Sequence, residues 1–269
     1  DLLHVKEADQ QALVLSYTEW NDSRKCYATA VAELALDPHV RDPRDIRAVA
    51  QDWKVIYRTR PCLPLKTKYR AIEGHMAGGR LAHYRGRHVM LSSGDYALDG
   101  VYGTERIAQN PDAEYGGVVE IDLDTGVADV LTRGQSNMQG ITVDAEDRVW
   151  TVEHGRRGGD ELNLIERGRN FGWPEATYGT RYNRMPWPGS SAYGRHDGFD
   201  LPIFSWVPSV AISSLALIEG MHPAWDGDLI AGSLAGRALH RLRIREGRVI
   251  FAERIPVGTR IRAVEMMAD

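Results

Sequence analysis

The chain has 269 residues, 43% hydrophobic and 26% charged, a balance that buries a real core and excludes a disordered segment. Its 33 basic and 37 acidic side chains leave a net charge of −4, and with no Lys/Arg run it lacks the footprint of a nucleic-acid binder. No apolar stretch reaches the roughly 18 residues of a membrane span; the longest, 210–221, is interrupted by Ser213, Ser214, Glu219 and Gly220.

In chain order, short alternating runs dominate. Strands are expected at 12–17, 53–59, 88–92, 117–122, 127–132, 148–152, 229–231, 238–244 and 248–255. Helical character is confined to 42–51 and to the alanine-rich 28–35, and the latter also alternates like a strand. Asp122-Leu123-Asp124-Thr125-Gly126 between two alternating runs predicts a hairpin, with Asp capping the turn and Gly supplying positive φ. Each of the two cysteines, Cys26 and Cys62, borders a candidate strand; a disulfide and two free thiols both remain open. A disulfide would fit an oxidising compartment. The chain starts at Asp1 with neither Met nor a signal-type segment, and 264–269 stops in what reads as a strand end, so both ends read as truncated.

Three segments share one plan, in which an approach through small residues leads to a turn, an apolar strand and a Gly-containing loop. They are 78–95, 139–155 and 213–236, spaced as propeller blades with insertions would be. A sandwich with long loops is the other architecture this spacing allows.

The stretch WTVEHGRRGGDELNLIERGRNFGW, 150–173, reads as a strand ending at Glu153 and His154, followed by a Gly-rich loop. Glycines let backbone carbonyls approach an ion or a flat ligand, and Asp160, Glu161 and Asn163 offer oxygen donors, which favours calcium over zinc. A solvated loop balanced by its arginines is the plainer reading of the same residues.

EHGRRGGDELNLIERGRNFGWP resembles the signature loop of the soluble quinoprotein glucose and aldose sugar dehydrogenases, the glucose/sorbosone dehydrogenase family, whose members read roughly EHGPxGGDELNxxxxGxNYGWP. RGQSNMQGI, HMAGGRL followed by SSGD, AGSLAGRALHRL, RIRAV and LVLSYTEW continue the resemblance along nearly the whole chain. It implies an all-β, six-bladed β-propeller holding pyrroloquinoline quinone (PQQ) and calcium near its axis. Residues 1–269 would form a single propeller domain, incomplete at both ends because the first blade and the final strands are absent.

The resemblance also implies roles. His75 matches the general base that takes the sugar C1 hydroxyl proton, although it stands five positions before Arg80 where the family spacing is four. Asp95 matches an acid beneath the site. Arg260 and Arg262, two apart and therefore on one side of a strand, match the pair that clamps the cofactor carboxylates, with Asn137, Gln139 and Arg237 nearby. The carbonyls of Gly155 and Arg156 match calcium ligands, with Arg156 where the family has Pro and so a cation close to the ion. Glu161 and the carbonyl of Phe171 match a second, structural calcium site.

Two cations that the family aims at the quinone are Ser136 and Ala235 here. The expected function is oxidation of an aldose C1 hydroxyl to a lactone with hydride transfer to PQQ. The expected partners are a sugar, an electron acceptor and a second copy of the chain in a homodimer, and the expected location is periplasmic or secreted. A binding propeller of the same family that has lost PQQ is the alternative. A calcium-dependent hydrolase such as a lactonase is a third reading, with Glu153, Asn137 and Asp95 as its metal ligands. Trp150, Trp173, Trp187 and Tyr178 are candidate walls for a sugar, the first two more naturally core residues, and 178–199 reads as an insertion near the mouth.

Overall fold

The computed structural model describes residues 1–66, 71, 73–101, 103–190 and 194–266. Four antiparallel sheets follow one another along the chain, each ordered as the chain runs. The first comprises β1 (Leu2–Glu7), β2 (Gln10–Asn21), β3 (Cys26–Leu36) and β4 (Lys54–Arg58), with β5 (Leu63–Pro64) added to β3. The second comprises β6 (Gly78–Tyr84), β7 (His88–Ser93), β8 (Gly117–Asp122) and β9 (Ala128–Val130). The third is built from β10 (Met138–Val143), β11 (Val149–Glu153), β12 (Asp160–Ile165) and β13 (Phe204–Trp206). The fourth contains β14 (Ile212–Leu217), β15 (Leu229–Ser233), β16 (Ala238–Arg245) and β17 (Arg248–Pro256).

These sheets are propeller blades. Their first strands sit side by side, β6 against β10 and β10 against β14, and the faces of successive sheets pack on each other. Val14, Val31, Val89 and Val119 join the first blade to the second, and Met90, Val118, Met138 and Ile141 join the second to the third. Trp150, Val152, Leu162, Ile212 and Leu229 join the third to the fourth. A strand buried on both faces needs no polar side, so β7, β11, β14 and β15 read as apolar or small-residue runs rather than alternating ones. β1, β5, β6, β10, β12, β13 and β14 come in addition to the strands expected from sequence; β12 and β14 are buried almost throughout, so they carry no period-two signal.

The three repeated segments are the hairpins β6–β7, β10–β11 and β14–β15. Each slips register at the start of its first strand, between Gly78 and Leu81, Met138 and Gly140, and Ile212 and Ser214. A bulge turns the chain at the same point of each blade, so the repeat is geometric as well as compositional. The Asp122–Gly126 hairpin forms as expected, with Gly126 at φ +71° and its N–H donating to the Asp122 carbonyl at 2.8 Å.

Two expectations change and two open readings close. Residues 42–51 are not a helix but two short 3-10 turns, Pro43–Asp45 and Ala50–Asp52. Neither buries a residue, and a helix without a buried stripe gains little from packing. For the alanine-rich 28–35, left open between helix and strand, the strand reading holds: it lies inside β3, where small side chains let the strand bury almost entirely. Arg260 and Arg262 lie beyond the end of β17 in non-strand backbone. The open cysteine question closes on a Cys26–Cys62 disulfide with Cα atoms 5.6 Å apart. Residues 267–269, at the expected strand end, fall outside the described residues.

Candidate active site

The three repeated hairpins open toward one rim. Gly94 N–H donates to the Ala77 carbonyl and Tyr96 N–H to that of Met76, both at 3.0 Å. Across blades, Asp95 N–H donates to the Ser136 carbonyl at 3.0 Å, and within the third blade His154 N–H donates to that of Asn137 at 3.1 Å. Ile261 N–H reaches Ser233 at 3.2 Å, and Ser213 Oγ returns a 2.6 Å bond to the Ile261 carbonyl. Motif stretches of the second and third blades are thus joined from Met76 to His154, Ser213, Ser233 and Ile261 form a second set in the fourth blade, and Asp160 ties the Gly155 loop to the start of that blade. Gly94 is required there, because a Cβ would stand 1.9 Å from the Met76 carbonyl oxygen.

Beneath the rim lies a group of buried carboxylates. Asp95 has no exposed surface; its Oδ2 accepts from the Trp173 indole at 2.7 Å and its Oδ1 from Ala97 N–H at 2.9 Å. Burial pushes its carboxyl up to about 6 against the pull of Arg156. Asp99 is raised by burial too, while Val101 N–H and the Arg156 guanidinium, 3.0 Å from Oδ2, hold it down. Glu153 stands directly across from Glu161 on β12, a like-charge pair that costs free energy. Burial first, then Glu161 and Asp95, holds Glu153 well above the usual carboxylate range, although Ser136 N–H donates to it at 2.5 Å.

Asp160, expected as a metal donor, is committed elsewhere. Gly155 N–H and Ser209 Oγ donate to Oδ1 at 2.8 and 2.7 Å, and Val210 and Ile212 N–H to Oδ2 at 2.9 and 3.1 Å. It fastens the Gly155 loop to the start of the fourth blade. A Cβ on Gly155 would meet the carbonyl oxygens of Gly158 and Gly159 at 2.4 Å, so the loop closes this tightly only with glycine.

Gly155, Arg156, Glu161 and Phe171, matched to two separate calcium sites by resemblance, all border one small cavity of about 20 Å³ together with Glu153 and Ser136. Such a volume holds a single water or ion, and the orphaned Ser136 hydroxyl beside two carboxylates fits a cation. The Arg156 side chain, however, is drawn away to Asp99 and lies over the Trp173 and Trp187 rings, 5.5 and 5.4 Å from their centroids. The cation expected near the ion is therefore neutralised by a carboxylate. Among the described residues no three His, Cys, Asp or Glu side chains gather as a metal cluster, so an ion here would need backbone or amide oxygens.

His75 sits at the edge of a second cleft of about 330 Å³, whose lining includes Asp99, Arg156, Arg181, Tyr182 and Trp187. Its Nδ1 lies 3.3 Å from a Glu73 carboxylate oxygen, and its side chain is 66% exposed. Trp187 borders this cleft but is otherwise buried against Trp173, and Trp150 is a core residue, so neither offers an open face. Tyr178 is covered by the His196 ring at 4.4 Å. Of the 178–199 insertion, 191–193 fall outside the described residues.

Asn137 and Gln139 bond to each other at 2.7 Å, and Gln139 faces a separate space of about 280 Å³ between the first strands. Arg237, Arg260 and Arg262 are exposed beside the Ile261 anchor, with Val257 and Gly258 N–H donating to the Arg237 carbonyl at 3.0 Å. None of the three guanidinium groups has an ion-pair partner among the described residues, which fits an anionic ligand with several carboxylates. Arg262 acts on His154, whose imidazole is held below its usual range by burial and by Arg156 and Arg262. Among the described residues these arginines are not part of the lining of the His75 cleft.

Asp99 and His196 carried no signal in the sequence. Asp99 follows Asp95 by four residues in a loop, a spacing that announces nothing until Arg156 arrives from another blade.

A propeller whose hairpin rim gathers buried acids, a Gly-rich loop and unpaired arginines is the class this fold and site define. The chain matches the Glucose / Sorbosone dehydrogenase family over residues 2–269, and it belongs to that family. It is 30% identical over 288 residues to the uncharacterized protein slr1608 of Synechocystis sp., covering 99% of this chain and 65% of that protein. It is 28% identical to the aldose sugar dehydrogenase YliI of Escherichia coli, over 97% of this chain and 69% of that one. A crystal structure of a glucose dehydrogenase superposes with a TM-score of 0.78 at 29% identity, covering 97% of this chain and 75% of that one. The chain thus spans just under two thirds of the length of the Synechocystis relative.

Proposed function

We propose that this chain is a quinoprotein sugar dehydrogenase, read as one propeller domain, that oxidises the C1 hydroxyl of an aldose to a lactone. The observation that carries the reading is the rim, where backbone hydrogen bonds join motif stretches of the second and third blades and Asp160 ties the Gly155 loop to the fourth, beside arginines without an ion-pair partner among the described residues. PQQ, when bound, supplies the hydride acceptor. Arg260, Arg262 and Arg237 would hold its carboxylates, with Asn137 and Gln139 as amide donors; the carbonyls of Gly155 and Arg156 would hold calcium, and Glu161 with the carbonyl of Phe171 would belong to a second, structural cation site. Nδ1 of His75 faces Glu73, so Nε2 is the ring nitrogen left to take the C1 hydroxyl proton while C1 gives up hydride. Asp95 and Trp173 fix the floor on which Arg156 and Asp99 stand. Electrons then leave to an external acceptor, and the chain pairs with a second copy.

Among the described residues no helix is long and apolar enough to cross a membrane. The Cys26–Cys62 disulfide supports an oxidising compartment, the periplasm or the outside of the cell.

Titrating calcium-loaded protein with PQQ, while following quinone absorbance and dye reduction with mixed aldoses, tests this. One PQQ per chain with sugar-dependent dye reduction is expected, and His75→Ala should lower that reduction at least about 100-fold with PQQ binding retained. A folded chain that binds no PQQ selects the second reading, a binding propeller. The observations favouring that one are Ser136, whose hydroxyl is buried, and Ala235, where a cation would otherwise face the quinone.

A further inference from the structure

His196 is a buried imidazole that makes no hydrogen bond among the described residues. Its side chain is 1% exposed, and among the described residues neither Nδ1 nor Nε2 has a hydrogen-bond partner. It comes from the 178–199 insertion, with one ring face on Tyr178 and Nε2 3.5 Å from Oε1 of Glu161. Asn163, two residues along β12 and so on the same face as Glu161, is also fully buried. Its amide nitrogen is 3.4 Å from Glu161 Oε2, and its carbonyl oxygen is orphaned.

Orphaned polar atoms are costly in a dry interior and rare in native proteins, and a bound ion or water is the usual resolution. The 3.5 Å between Nε2 and Oε1 is long for a hydrogen bond. It is the separation of two neighbouring donors that each lie about 2.0–2.2 Å from one ion.

We propose that His196 and Glu161 share a first-row divalent cation such as zinc, and that this bond tethers the insertion to the third blade. It takes from the proposed function only the placing of a cation beside Glu161. The imidazole changes the class of ion: calcium prefers oxygen donors, whereas a nitrogen donor beside a carboxylate favours zinc and its neighbours. The Asn163 carbonyl oxygen is a further donor on the same strand face. The tether has a consequence at the cleft. The same insertion supplies Arg181, Tyr182, Asn183 and Trp187 to the wall that faces His75, so filling the ion site orders the cleft.

The test uses the metal-free chain with neither quinone nor sugar, titrated separately with zinc and with calcium by calorimetry. One zinc per chain is expected, bound more tightly than calcium. His196→Gln and Glu161→Gln should each weaken zinc at least about tenfold, and His39→Gln, at an exposed position, should leave it unchanged. Zinc should also slow tryptic cleavage after Arg184 and Arg195 in the wild type but not in the His196 variant. If that variant does not fold, nitrogen NMR of the wild-type histidines replaces it, and zinc must then shift the His196 Nε2 signal.

Zinc affinity unchanged by His196→Gln, or an unmoved His196 signal, overturns the proposal. So does an ion at Glu161 that is calcium in preference to zinc. Sugar oxidation without His196-dependent zinc leaves the dehydrogenase reading intact, and His196-dependent zinc without sugar oxidation leaves the tether intact.

Discussion

Asp160→Asn should be among the most damaging isosteric changes in this protein. The carboxylate takes four hydrogen bonds, from Gly155 N–H, Ser209 Oγ, Val210 N–H and Ile212 N–H, and none of its surface is exposed. An asparagine keeps the shape but turns one oxygen into a donor. In its better orientation the amide nitrogen faces Gly155 N–H and Ser209, whose hydroxyl can turn to accept, so one bond is lost to a facing donor and the other three no longer involve a charged group, together equivalent to about two of the original bonds. Hydrogen bonds to charged groups contribute roughly 1.5–3 kcal/mol each, so the loss is about 3–6 kcal/mol.

For a chain of this size each kcal/mol lowers Tm by about 2–4 °C, so the variant should melt on the order of 10–20 °C below the wild type. Thermal unfolding followed by circular dichroism measures it. Since Gly155 would lose its anchor, calcium affinity should fall in parallel. A melting point within about 3 °C of the wild type would refute the claim that this one side chain fastens the third blade to the fourth.

Asp95→Asn tests the buried acid. The folded protein raises Asp95 from 3.8 to about 6, so the folded state binds this proton more tightly than the unfolded one. Its contribution therefore favours folding at low pH and is lost as pH rises through about 6. From pH 4 to pH 7 the variant should gain on the wild type by roughly 2.4 kcal/mol, read from urea unfolding at each pH, and a pH-independent difference would contradict it. Removing the disulfide by Cys26→Ala with Cys62→Ala releases a 36-residue span. Chain entropy predicts a loss of about 4 kcal/mol, checked by urea unfolding in the absence of reductant. Arg260→Ala with Arg262→Ala should weaken PQQ at least about 100-fold, with a shallower salt dependence in the same quinone titration.

The sequence by itself determined the all-β class, the repeat of hairpins and the Gly-rich loop. These follow from local causes: apolar runs punctuated by Gly and Asp, and glycines where a Cβ would strike a carbonyl, as at Gly94 and Gly155. Family motifs carried the rest of the candidate site, because each is a contiguous word in the chain. Local reading failed at 42–51, where helix propensity had no buried face to serve, and at Arg260 and Arg262, which lie past the end of their strand.

Only the tertiary structure decided which charges meet. Asp99 finds Arg156 across 57 residues, and Trp173 finds Asp95 across 78. His196 reaches Glu161 from an insertion, and Asp160 turns out to be a clamp between blades rather than a metal donor. Such pairings depend on how the blades wind round a common axis, a long-range geometry that the spacing of residues along the chain does not encode.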